Sequence, residues 1–131
     1  MQERRRGPGG AVSGHPVTAV FCGSRHWRDR AAIRAALRSL PPGSVAIEGG
    51  APGADRIARE EAGALGVHVA TVSAQWQRFG RSAGPRRNEA MLRLGPDVVH
   101  AFPLGGPGTA HMIEAARRAG VEVVIHDGCR P

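Results

Sequence analysis

From Val17 onward the chain switches between two kinds of pattern. Short, nearly continuous apolar runs occur at Val17–Cys22, Val45–Glu48, Val67–Val72, Val98–Phe102 and Val121–Ile125. Such runs, bounded by glycine, proline or polar residues, fit strands buried on both faces. Between them, apolar residues recur at helical spacing. Ile33, Ala36, Leu37 and Leu40 share one face, with Asp29 placed as N-cap and Pro41-Pro42-Gly43 as the stop. Ala54, Ile57, Ala58, Ala62 and Leu65 form the stripe of a second helix that ends at Gly66. A polar stretch, Ser73 to Gly84, leads into a third predicted helix from Pro85 to Leu94, where proline suits the first turn. A fourth runs from Thr109 to Ala119. Alternating strands and helices predict an α/β fold, three layers α/β/α, with a mainly parallel sheet of about five strands. No internal repeat is present. Residues 1–16 carry no apolar period and read as a flexible basic tail, 17–128 as one domain, and 129–131 as a short tail.

Composition narrows the chemistry. The 131 residues carry a formal charge of +7, and all 18 basic residues are arginine. Without lysine there is no Walker phosphate loop, no Schiff-base chemistry and no lysine general base. Tyrosine is absent and aromatics are 4%, so alanine and valine must build much of the core. No apolar run approaches the roughly 18 residues of a membrane span. The start, Met1-Gln2-Glu3-Arg4-Arg5-Arg6, lacks the apolar stretch of a secretory signal. Two cysteines, Cys22 and Cys129, are too few for a disulfide scaffold and fit a reducing cytoplasm. The six histidines form no metal-ligand pattern, so neither a metal site nor a cofactor is expected. Excess arginine serves either solubility or a phosphate-bearing partner.

In open parallel sheets, ligands bind beyond the carboxyl ends of the strands. The unusual residues of this chain gather there. Gly23-Ser24-Arg25 with Trp27 follows the first strand, and Glu48 with Gly49-Gly50-Ala51-Pro52-Gly53-Ala54-Asp55 follows the second. Trp76, Arg81 and Gly84-Pro85-Arg86-Arg87-Asn88 follow the third; Gly105-Gly106-Pro107-Gly108-Thr109 follows the fourth. Two of these glycine-rich turns open directly into helices, whose free N–H groups and dipole suit an anion. Arg25, Arg81, Arg86 and Arg87 are the candidate guanidinium partners of a phosphate. Residues 76–93 hold five arginines against one acid, Glu89. Trp27 and Trp76 are placed either to stack on a base or to cover the sheet edge. Asp55 either caps its helix or meets a ribose hydroxyl, and Asn88 either binds a ligand or caps locally. The dinucleotide fingerprint fails, because His111 stands where it needs glycine, and Ser24 lacks a nucleophile-elbow context. Glu48 is the candidate catalytic acid, with a satisfied strand-end carboxylate as its other reading.

Taken together in this order, the four motifs over residues 17–127 resemble the SLOG superfamily, most closely its small YspA-like branch, with the LOG phosphoribohydrolases and the Smf/DprA proteins as relations. The resemblance implies a Rossmann-like nucleotide-binding domain, acting as a sensor or adaptor for a nucleotide-like small molecule. It also offers two alternatives. One is a hydrolase that cleaves the N-glycosidic bond of a nucleoside 5′-monophosphate. Enzymes of that type carry a glutamate two positions after the threonine of GGxGT, where this chain has His111. The other, ranked last, is nucleic-acid binding. A homodimer is a further candidate partner, since family relatives are often dimers.

Overall fold

The computed structural model describes residues 14–127, so the predicted tails lie almost wholly outside the described residues, as does Cys129. Five strands, β1 (Thr18–Gly23), β2 (Val45–Glu48), β3 (His68–Thr71), β4 (Val98–Phe102) and β5 (Glu122–Ile125), form one sheet. Their order is β3-β2-β1-β4-β5 and every neighbouring pair is parallel. The helices are α1 (Arg30–Arg38), α2 (Ala54–Leu65), α3 (Trp76–Phe79), α4 (Ala83–Arg93) and α5 (Pro107–Arg118). The fold is the α/β, mainly parallel, five-stranded architecture that the alternation predicts.

Period-two geometry divides each strand between two cores. On one side Ala19, Phe21 and Phe102 pack with Ile33, Ala36 and Leu37 of α1 and with Ala58 and Ala62 of α2. On the other, Val20, Ile47, Val99 and Ala101 pack with Met91 of α4 and Met112 and Ala116 of α5. Alanine on the helix faces lets them sit close to the sheet, which is how a chain poor in aromatics closes its interior. The edge strands β3 and β5 are the most exposed, because each has one open side. At α1 the Asp29 carboxylate accepts from the Ala32 N–H at 3.2 Å, as its N-cap position predicts.

Three boundaries differ from the sequence reading. The stretch Ser73–Gly84, predicted as a polar connection, contains α3 and a 3-10 turn at Gly80–Ser82. One helical turn is too short to register as an apolar period. For the same reason α4 begins at Ala83, ahead of Pro85. Helix α5 begins at Pro107 instead of Thr109, with Gly106 as N-cap. Proline is preorganised for the first helical position, so Pro107-Gly108 is the first turn of the helix and not the end of the preceding loop. Among the described residues no helix is long and apolar enough to cross a membrane.

Candidate functional site

The loops after β1, β2 and β4 converge with α3 and the start of α4 around a cleft of about 890 Å³. It lies beyond the carboxyl ends of the strands and spans the β1–β4 boundary. There the connectivity reverses: β2 and β3 extend from β1 one way, β4 and β5 the other. The two neighbouring loops must therefore leave in opposite directions, and a crevice opens between them.

Most of the residues singled out from sequence line this cleft. Gly23, Ser24 and Arg25 come from the first loop, and Gly49, Gly50, Ala51 and Asp55 from the second. Trp76, Arg81, Arg87 and Asn88 enter from α3 to α4, and Gly105, Gly106, Gly108 and Thr109 from the fourth loop.

Glu48, Trp27, Gly53 and Arg86 are not on the cleft wall. The Glu48 carboxylate is fully buried and accepts from the Gly50 N–H at 2.6 Å and from the Thr71 hydroxyl, with Arg59 at 3.6 Å. With both oxygens engaged inside the fold, it holds the loop after β2. Trp27 is 2% exposed; its ring packs edge-on against Phe102 at 5.3 Å, and its N–H donates to the Asp29 carbonyl at 2.9 Å. Its indole belongs to the core and has no face free for a base. Gly53 lies under the loop, against the backbone of Ser24 and Arg25. Arg86 points outward, its Nε donating to the Ser82 hydroxyl at 3.0 Å.

A web of polar contacts joins the two halves of the site. The Asp55 carboxylate accepts from the Gly49 and Ala51 N–H groups at 3.1 and 3.2 Å. Those donors belong to the loop before the helix, so Asp55 fixes the loop instead of capping α2, whose N-cap is Gly53. Arg87 Nη1 donates to the Gly49 carbonyl at 2.5 Å. A side chain at Gly49 would put its Cβ 2.5 Å from that nitrogen and would push the guanidinium out of this position. Burial pushes the Asp55 carboxyl up to about 6, even though its two N–H bonds and Arg87 pull it down.

Asn88 carries the web to α5. Its Oδ1 accepts from Arg87 Nε at 2.9 Å, and its Nδ2 donates to the Gly108 carbonyl at 3.2 Å. A guanidinium only donates and a carbonyl only accepts, so the amide has one allowed orientation. The remaining Nδ2 hydrogen faces His111 Nδ1 at 3.2 Å.

At the start of α5, Gly106 sits at φ 109°, a conformation open to glycine, and among the described residues no side chain caps the helix. The first-turn N–H groups have no intrahelical acceptor and, with the dipole, favour an anion. Thr109 is buried beside them. Beyond the backbone of its own helix and its chain neighbours, a Cβ at Gly108 would meet no atom of the described residues within 4 Å.

Several cleft residues lay beyond sequence reasoning. His111 registers in the sequence only as a departure from a motif; that it meets Asn88 depends on how α4 packs on α5. His26, Ser73 and Met91 also line the cleft, and their neighbouring motifs point to the loops but not to these side chains. Cys22 is at the buried cleft floor, where desolvation raises its thiol pKa far out of the reactive range. Among the described residues, no three or more histidines, cysteines or carboxylates gather as a metal ion requires.

Comparison with known proteins agrees with this architecture. Residues 17–79 match the model of the YspA, cpYpsA-related SLOG family. The Gene 61 protein of Mycobacterium phage D29 is 40% identical over 115 residues, covering 80% of this chain and 92% of that protein. The chain belongs to this SLOG family. The matched region includes the loops after β1 and β2 and all of α3, while Arg87, Asn88 and the Gly105–Thr109 turn lie beyond it. DNA processing protein A (DprA) from Streptococcus pneumoniae shares the fold, with a TM-score of 0.71 at 18% identity over 88% of this chain. The chain spans about half of that protein, 51% of its length.

Proposed function

We propose that this SLOG domain binds a nucleotide or nucleotide-derived ligand in the cleft and acts as a cytoplasmic sensor or adaptor. Family membership supports a nucleotide- or nucleic-acid-related role in general. The specific reading rests on one observation: an uncapped helix N-terminus and a guanidinium that is tied to the opposite loop face the same cleft. In this reading the N–H groups from Gly106 to Thr109 hold a phosphate, and Arg25 and Arg87 neutralise it. The loop from Gly50 to Asp55 meets the ribose. Trp76, 59% exposed at the mouth, is the aromatic free to flank a base, since Trp27 is buried. Calorimetry against AMP, GMP, ADP-ribose and cyclic dinucleotides tests the reading. Micromolar binding of at least one supports it, and a folded protein that binds none overturns it.

A second reading, hydrolysis of the N-glycosidic bond, has one observation in its favour. Asp55 lines the cleft with a carboxyl pushed up to about 6, a range suited to protonating a leaving base. Glu48, buried and engaged, is poorly placed for that role. Release of free base from AMP or GMP, lost in Asp55→Asn, is the expected result; intact substrate at stoichiometric protein rules against it.

A further inference from the structure

A second hollow, of about 330 Å³, lies outside the cleft against α3 and α4. Arg78, Phe79, Arg86, Arg87 and Arg93 line it, with Glu89 as its one carboxylate among the described residues. The guanidinium carbons of Arg78 and Arg86 sit 4.8 and 4.2 Å from the centroid of the Phe79 ring, which holds both cations beside one aromatic. Arg86 is further fixed by Ser82. Glu89 Oε2 also lies 3.9 Å from His111 Nε2.

Arg30, Arg34, Arg59 and Arg118 all have a carboxylate within 4 Å. Among the described residues the other ten arginines have none, and four of these, Arg78, Arg86, Arg87 and Arg93, gather at one hollow. Gathering four cations at one hollow, none with a described carboxylate within 4 Å, is electrostatically unfavourable in the isolated domain and is offset when an anion binds. Arg87 lines both the hollow and the cleft, so the two are adjacent compartments with one shared guanidinium.

We propose that the hollow is a second phosphate subsite, and that the ligand carries two phosphate groups, one at the start of α5 and one between Arg78, Arg86 and Arg93. The cleft half of this inference rests on the nucleotide-binding reading above; the hollow half does not. A phosphodiester is the chemistry that fits, supplied by a dinucleotide or by a short single strand. Removing one guanidinium from such a phosphate site costs about tenfold in affinity.

The two compartments are read separately by NMR of the full chain titrated with the 5′-phosphorylated dinucleotide pApA. Backbone amides of Gly106, Gly108 and Thr109 report the cleft, and the Nε–H signals of Arg78, Arg86 and Arg93 report the hollow. Both sets are expected to shift together, with pApA at least tenfold tighter than AMP. The variant Arg78→Ala/Arg93→Ala is expected to lose that gain and keep the affinity for AMP. Arginine signals that stay fixed overturn the second subsite, whatever the cleft amides do. Arginine shifts with unmoved cleft amides keep the subsite and overturn the cleft reading. A further tenfold gain with an eight-nucleotide dA strand assigns the phosphodiester to a strand, and equal affinity assigns it to a dinucleotide.

Discussion

Arg87 donates to the Gly49 carbonyl at 2.5 Å, and this contact ties α4 to the loop after β2 across the cleft. It joins the two lobes of the site at a residue whose Nε also orients Asn88.

Replacing Arg87 by alanine leaves the Gly49 carbonyl and Asn88 Oδ1 without donors. At about 1–3 kcal/mol for a buried group deprived of its partner, the domain is expected to lose roughly 2–3 kcal/mol in urea denaturation. Arg87→Lys separates fold from function. One ammonium can reach Gly49 but cannot also serve Asn88 and a phosphate in fork geometry. Most of the stability is expected to survive, while AMP affinity falls about tenfold by calorimetry. Undiminished affinity in the lysine variant would refute the fork.

Two buried groups oppose each other in acid. Burial raises Asp55 from 3.8 to about 6, so its contribution to stability is full below about 3.8 and is lost as pH rises through about 6. At about 1.4 kcal/mol per pKa unit, this is about 3 kcal/mol lost by pH 7. Burial, and then the nearby His126, lowers His100 from 6.5 to about 4. That contribution is full above 6.5 and is lost as pH falls through about 4, again about 3 kcal/mol. Denaturation free energies of the wild type are therefore expected to vary little from these two groups between pH 7 and 4.

Asp55→Asn isolates the histidine. Both N–H bonds to Asp55 land on Oδ2, so an amide oxygen can accept them without a buried charge. This variant is expected to be more stable at pH 7 by up to about 3 kcal/mol and to become acid-labile below pH 6. His100→Phe keeps a ring in the place that stacks on Phe21, 5.1 Å away in the wild type, and removes the His100 titration together with its 3.0 Å contact to His126 Nε2, whose own depressed pKa remains. It is expected to gain stability on acidification. Urea midpoints at pH 4.5 and 7.5 for the three proteins check the signs; parallel pH profiles would exclude the opposition.

The layout of the domain is legible in its sequence because each physical requirement is local. Continuous apolar runs fix the strands, a run of Val45 to Glu48 matching β2 residue for residue, and Gly66 marks the end of α2. The locations of the cleft loops follow from the same punctuation. The orientation of single side chains does not. Trp27 and Trp76 both follow strand ends, yet packing on Phe102 buries one while the other stays 59% exposed. Glu48 has the position of a catalytic acid, but Thr71 and the Gly50 N–H, contributed by the neighbouring strand and the next turn, engage it. Such contacts depend on the register of β2 against β3, which no spacing within one segment encodes.

Gly108 separates binding from folding most directly. It lies in the first turn of α5 outside the positive-φ region, and beyond its own helix backbone and chain neighbours a Cβ there meets no atom of the described residues within 4 Å. The fold therefore gives no steric or conformational reason for glycine, and glycine in a helix costs about 0.5–1 kcal/mol relative to alanine. Gly108→Ala is expected to leave the structure unchanged and to raise stability by a few tenths of a kcal/mol up to about 1. The same methyl group stands where a phosphate would approach the backbone N–H groups, so nucleotide affinity is expected to fall tenfold or more. Thermal denaturation and calorimetry on one preparation give both quantities. A more stable protein with weaker binding assigns the glycine to the ligand, and unchanged affinity moves the phosphate away from α5.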